Sequence, residues 1–192
     1  MAGPATRPLD VVTSSVARGL ASLRSPPPGL STCDDRRAEM RRAADDLFDV
    51  DGIAPRALGR HWEALAPDEQ GEFVRLLRRV LTQSFVRIVE RYADDDVISA
   101  EEEVAGAFAH VRSRITSDHA PESTIEYRLS RSGSQWAVYD IVLDGVSLVS
   151  NYRSQFNAII GTSSMAELLE WMRTEPSRCR SSPDILAGSL ER

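Results

Sequence analysis

QWAVYDIVLDGVSLVSNYRSQFNAII, residues 135–160, changes its hydrophobic period in mid-course, and that change decides the fold class. Val138, Tyr139, Ile141, Val142 and Leu143 crowd β-branched, aromatic and aliphatic side chains into one short run, which suits a buried strand. Asp144-Gly145 is a turn signal, because Gly accepts positive φ without steric cost. A second short strand, Val146 to Val149, follows. Tyr152, Phe156, Ile159 and Ile160 then recur at three and four residues, the spacing of one helix face, with Ser150 or Asn151 available as the cap.

Upstream of this stretch the strand signals continue. Ile125, Tyr127 and Leu129 alternate within Ser123 to Ser130, and Ser132-Gly133-Ser134 closes a hairpin. Glu102 to Thr116, with Val104, Phe108, Val111 and Ile115, reads as one strand-like run. The first half of the chain is helical instead. From Pro8 to about Arg24, Val11, Val12, Val16, Leu20 and Leu23 share a face, and Ser25-Pro26-Pro27-Pro28-Gly29 stops the helix. Asp34-Asp35 can cap a second helix carrying Met40, Ala44, Leu47 and Phe48, which ends around Phe48 to Asp51. The run Ile53 to Leu65 follows, with Leu58-Gly59 and His61-Trp62 in it. The longest helix starts at Ala66-Pro67-Asp68-Glu69, with Pro and acidic residues in the first turn but no capping side chain at Ala66, and runs to about Tyr92. Its stripe of Phe73, Leu76, Leu77, Val80, Leu81, Phe85, Ile88, Val89 and Tyr92 makes it the natural backing for a sheet. A last helix holds Leu168, Leu169 and Trp171. Helices followed by antiparallel strands predict an α+β domain.

Composition narrows the function. With 192 residues, 42% of them hydrophobic and 27% charged, the chain suits one globular domain. A net charge of -6 argues against nucleic acid, although all 23 cationic side chains are arginine. No run approaches the roughly 20 apolar residues of a membrane span, which predicts a soluble chain. MAGPATRPLD, residues 1–10, lacks the apolar core of an export signal.

Residues able to do chemistry are present but poorly arranged for it. Asp49-Val50-Asp51-Gly52 is rejected as a calcium loop because Leu47 and Leu58 fill its first and last ligand positions. Asp94 to Asp96 and Glu101 to Glu103 read as solvated charge, and His61, His110 and His119 occur singly, so no metal is expected. Ser147 lacks the following Gly of a nucleophile elbow, since Val149 stands there. Cys33 and Cys179 permit a disulfide without implying one. Asp140 and Asp144, four apart, would share a face if the strand reached both. They suit either an acid-base pair or structural anchors held by Arg153. The anchor reading is preferred; the alternative is a small α+β enzyme acting on an apolar substrate with Asp140 or Asp144 as general base. An adaptor that meets a protein partner through its apolar faces is a third reading.

The string W-x-V-Y-D-x-x-x-D-G-V-S-L-V-x-N-Y-R-x-Q-F, Trp136 to Phe156, resembles the signature of the MlaC-type phospholipid-carrier family, also called the toluene-tolerance family. Asp144 replaces the family's usual Glu. Leu58-Gly59 with His61-Trp62, and the helix start at Pro67, are similar to the family too, so the likeness runs from about Pro8 to Arg173. The resemblance implies a curved antiparallel sheet of cystatin or NTF2-like architecture, packed with helices around an apolar lipid cavity. It further implies a monomeric, non-enzymatic carrier with phospholipid as cargo and no cofactor. Its partners would be an MCE-domain inner-membrane transporter and an outer-membrane lipoprotein complex. It would work in the periplasm, so this chain is expected to be a mature form or to have a start lying elsewhere, in preference to a protein that stays inside the cell. One lipid-binding domain is expected over residues 8–175, with a disordered N-terminus at 1–7 and a frayed tail at 176–192. The lipid-lining residues expected on this basis are Phe73, Leu77, Val80, Phe85, Ile88, Val111, Ile125, Tyr127, Trp136, Val138, Tyr139, Leu148, Tyr152 and Phe156, with Asp140, Asp144 and Arg153 as structural anchors.

Overall fold

The structure, a computed structural model, describes residues 7–24, 33–93, 95–117 and 120–174. The proline stop, Asp94, His119, Cys179 and the expected C-terminal tail lie outside these residues, as do the side chains of Asp34, Asp35 and Cys33.

Helices come first and strands second. The order is α1 (Pro8–Arg24), α2 (Cys33–Leu47), α3 (Val50–Leu58), a 3-10 segment (Gly59–Ala64), α4 (Pro67–Arg91), β1 (Asp96–Ala105), β2 (Phe108–Ser117), β3 (Ala120–Ser132), β4 (Gln135–Leu143), β5 (Val146–Ser147), α5 (Leu148–Thr162) and α6 (Met165–Thr174). The strands form one antiparallel sheet in the order β1-β2-β3-β4-β5, each paired with its chain neighbour. The α+β class expected from the sequence is the one observed.

Three expectations need correction. The run from Glu102 to Thr116 is a hairpin: the chain turns at Gly106, whose φ of 64° lies in the left-handed region, and Ala105 pairs with Phe108. The second strand after Asp144-Gly145 stops at Ser147, because Ser147 is itself the cap of α5, accepting from the Ser150 N–H at 3.0 Å. Asp144 stands in the turn with φ of 47°, beyond the end of β4, so it does not continue the strand face of Asp140.

Local chemistry explains the other boundaries. Asp49, part of the rejected calcium pattern, caps α3 by accepting from the Gly52 N–H at 2.9 Å. At the start of α4 no side chain caps from Ala66, but Glu69 reaches back to accept the Ala66 N–H at 2.9 Å. Gly59 ends α3 with φ of 56°, and a Cβ there would come within 2.8 Å of the Arg153 guanidinium. Leu58-Gly59 and Asn151-Tyr152-Arg153, far apart in sequence, therefore meet in space.

The core is one continuous cluster spanning helices and sheet. The main neighbours of α4 are α1, α2, α3 and α6, while α1 also meets β1, β2 and β4. Thus α4 does not back the sheet by itself as its stripe suggested; α1 wedges against both. Gly19 makes the wedge possible, for a Cβ there would meet the Phe85 ring and Val89 at 3.2 Å.

Candidate functional site

Register sorts the strand residues into two faces. Val111, Tyr127 and Ile141 lie in one cross-strand row, with Ala109, Leu129 and Val138 in the next, and all six are buried. Ile125 and Leu143 pair in a third row. This inner face carries four of the expected wall residues, Val111, Ile125, Tyr127 and Val138. Leu129, Ile141 and Leu143 belong with them and were not singled out from the sequence. The register shift opposite Arg128 and Leu129 explains the omission of Ile141 and Leu143. It inserts an extra residue at Tyr139, so simple alternation along β4 fails there.

Tyr139 is the displaced residue and does not join the inner face. Its ring packs edge-on against the exposed Phe108 at 6.2 Å, with the Arg56 guanidinium 4.9 Å above it. Trp136, at the start of β4, is buried with Arg131 5.4 Å over its ring.

The helical wall residues separate into two groups along α4. Phe73, at its N-terminal end, belongs to an aromatic cluster: it meets Phe156 at 5.7 Å, and Phe156 stacks on Tyr152 at 5.6 Å and meets Trp171 edge-on at 6.2 Å. The Tyr152 hydroxyl is 2.7 Å from Ser84 Oγ, tying α5 to α4. Further along, Leu77, Val80, Phe85 and Ile88 are buried, and Phe85 meets Phe48 and α1. Beyond them, Tyr92 follows the last residue of α4 and comes near Tyr127 on the inner face. Burial first, and the neighbouring Tyr92 phenol second, push the Tyr127 phenol above its ordinary range, so it stays protonated. Leu148, the first residue of α5, is half-buried against the core.

The polar residues of residues 135–160 make a framework. Asp140 is buried; its Oδ2 accepts from Ser147 Oγ at 2.7 Å and from the Arg128 guanidinium at 3.4 Å, and its Oδ1 accepts from the Val149 N–H at 3.1 Å. Both oxygens thus take part in holding the start of α5 on the sheet, which is the anchoring role. Asp144 Oδ1 accepts from the Thr124 N–H at 2.8 Å and pins the β4–β5 turn to β3. The cation beside Asp140 is Arg128; Arg153 lies over Gly59.

A cleft of about 210 Å³ opens beside this framework, lined by Arg56, Tyr139, Asp140, Val149, Ser150 and Arg153. Its charged lining offers an acyl chain little apolar surface. No group of three or more metal-ligating side chains occurs among the described residues. None of the described helices is long and apolar enough to cross a membrane.

Comparison with known proteins gives a consistent picture. A family model described as MlaC protein matches residues 14–174. The toluene tolerance protein ttg2D of Pseudomonas putida is 21% identical over 119 residues, a match that covers 61% of this chain and only 55% of that protein. A solved phospholipid-binding protein from Ralstonia solanacearum, in complex with a phospholipid, superimposes with a TM-score of 0.70. It is 20% identical, and the superposition covers 88% of this chain and 96% of that one.

Proposed function

The chain belongs to the MlaC protein family, and from that premise we propose that it is a phospholipid carrier. It encloses acyl chains between the inner face of the sheet and the helices. Its working route is periplasmic, from an MCE-domain transporter in the inner membrane to a lipoprotein complex in the outer membrane, as a monomer and without catalysis.

The observation that carries this reading is the inner face itself. Val111, Ile125, Tyr127, Leu129, Val138 and Ile141 lie in adjoining cross-strand rows and are all buried, and α1 packs on the strands that carry them. The likeness to a solved phospholipid complex gives that surface a natural occupant. Val80, Phe85 and Ile88 form the opposing wall of the carrier. Leu148, Trp136, Leu77 and the cluster of Phe73, Tyr152 and Phe156 close its helical end. Asp140, Asp144 and Arg153 hold the frame.

The energetics suit such a container. Each CH₂ exposed to water costs about 0.8 kcal/mol, so a dozen methylenes crossing an aqueous gap unprotected would cost about 10 kcal/mol. A protein that covers them removes most of that barrier without needing ATP.

The test is uptake from membranes. Purified chain, stripped of lipid, is mixed with vesicles containing radiolabelled phosphatidylglycerol and then separated by size. About one labelled lipid per chain is expected in the protein fraction. Label that stays wholly with the vesicles would refute the proposal.

A further inference from the structure

One buried polar group inside the domain is not accounted for by the packing around it. The hydroxyl oxygen of Tyr92 is buried and has no hydrogen-bond partner among the described residues. Burying a donor without a partner costs free energy in the folded chain, and an acceptor brought by a ligand would recover it.

The surroundings limit what that acceptor can be. Tyr92 closes α4 and is close enough for its phenol to act electrostatically on Tyr127, which is 4% exposed and stands in register between Val111 and Ile141. On the side of Val111, Tyr127 and Ile141 a charged phosphate or carboxylate would be strongly disfavoured, because these neighbours cannot replace its hydration. A neutral acceptor attached to apolar chains fits. The ester carbonyl of an acyl lipid has that character: it accepts, does not donate, and sits where the tails begin. The Arg91 guanidinium, 5.5 Å over the Tyr92 ring, draws on its electron density and makes the phenol a better donor.

We propose that the Tyr92 hydroxyl, beside Tyr127, is the internal hydrogen-bond donor for an ester carbonyl of a bound acyl lipid, and that it makes the protein select ester-linked over ether-linked chains. The proposal rests on the carrier reading and adds a determinant of specificity to it. The phenols then also set how far the tails descend along the inner face.

The experiment is a pair of titrations of lipid-free full-length chain by calorimetry, with dioctanoyl phosphatidylglycerol and with its dioctyl ether analogue. The expected result is about tenfold tighter binding of the ester, the size of one hydrogen bond. In Tyr92→Phe that preference falls to within about twofold, through weaker ester binding at unchanged ether binding. Tyr127→Phe is a second reading of the same contact and is expected to lower the preference in part. Because Tyr92→Phe removes only an unpartnered oxygen, its lipid-free form is expected to melt no lower than the parent chain. Equal affinity of the parent chain for both lipids, a full ester preference surviving in Tyr92→Phe, or a lowered melting temperature in that variant would each overturn the proposal. Binding of neither lipid would instead overturn the carrier reading on which it rests.

Discussion

The two faces of the sheet are built from the same strands by opposite rules. Inside, Val111, Tyr127 and Ile141 form an apolar cross-strand row that meets a charge only at the β1 edge, where Glu102 accepts from Arg7 and the Leu9 N–H. Outside, the adjacent row runs Glu101, Arg112, Glu126 and Val142, and the next runs Glu103, His110, Arg128 and Asp140. Glu126 is the hub of this outer ladder: it accepts from Arg112 at 2.9 Å and from Arg128 at 2.9 Å, with His110 at 3.5 Å. The difference teaches where each kind of work is done. The inner face holds free energy in burial and is indifferent to direction, which suits a wall against flexible chains. The outer face holds little energy per contact but pairs specific partners, so it fixes register. A slip of one residue would exchange the two faces and bury the ladder.

Substitutions that break the comparison should differ in size accordingly. Leu129→Ala on the inner face removes a fully buried side chain and is expected to cost about 3 kcal/mol in chemical denaturation. A loss no larger than that of an outer-face variant would mean that this face is not packed. Asp140→Ala comes next, at about 2 kcal/mol, although Asp140 points outward. It is the buried charge of these rows, and its loss leaves the Val149 N–H and Ser147 without their acceptor. A catalytic Asp140 would instead leave the melting temperature where it was.

Glu126→Gln should have the smallest effect near neutral pH, about 1 kcal/mol or less, and a distinctive pH dependence. Burial alone would raise the Glu126 carboxyl, but hydrogen bonds from Arg112 and Arg128 outweigh it and hold the group below the ordinary carboxylate range. With the folded pKa depressed, the stabilisation is fully present above the unfolded pKa of about 4.3 and disappears as pH falls through the lower folded value. The stability curves of parent and variant are therefore expected to converge on acidification, measured as melting temperature against pH from 7 to 3. A gap that stays constant over that range would assign no such role to the Glu126 charge.

The same contrast explains how much the sequence disclosed. Helices were legible because repeats such as Phe73, Leu76, Leu77 and Val80 state their period over many turns, and α1 and α4 fall where that period places them. The inner face was legible on β3, where Ile125, Tyr127 and Leu129 alternate without interruption. On β4 it was not, because the extra residue at Tyr139 shifts the parity and sends Ile141 inward. The β1–β2 hairpin was hidden for a different reason: Ala105-Gly106-Ala107 carries no Asn or Asp, and the flanking residues keep strand character on both sides. The sequence offers Ser150 or Asn151 as the cap of α5, but Ser147 takes that place, accepting from the Ser150 N–H and donating to Asp140. The orphan hydroxyl of Tyr92 depends on what surrounds it, which no local pattern encodes.

Native mass spectrometry of the gently purified chain bears most directly on the inner face as a lipid wall. The account predicts a species heavier than the chain by the mass of one phospholipid, retained in Glu126→Gln and confirmed by organic extraction. Bare chain alone, with no lipid in the extract and none taken up from vesicles, would contradict it.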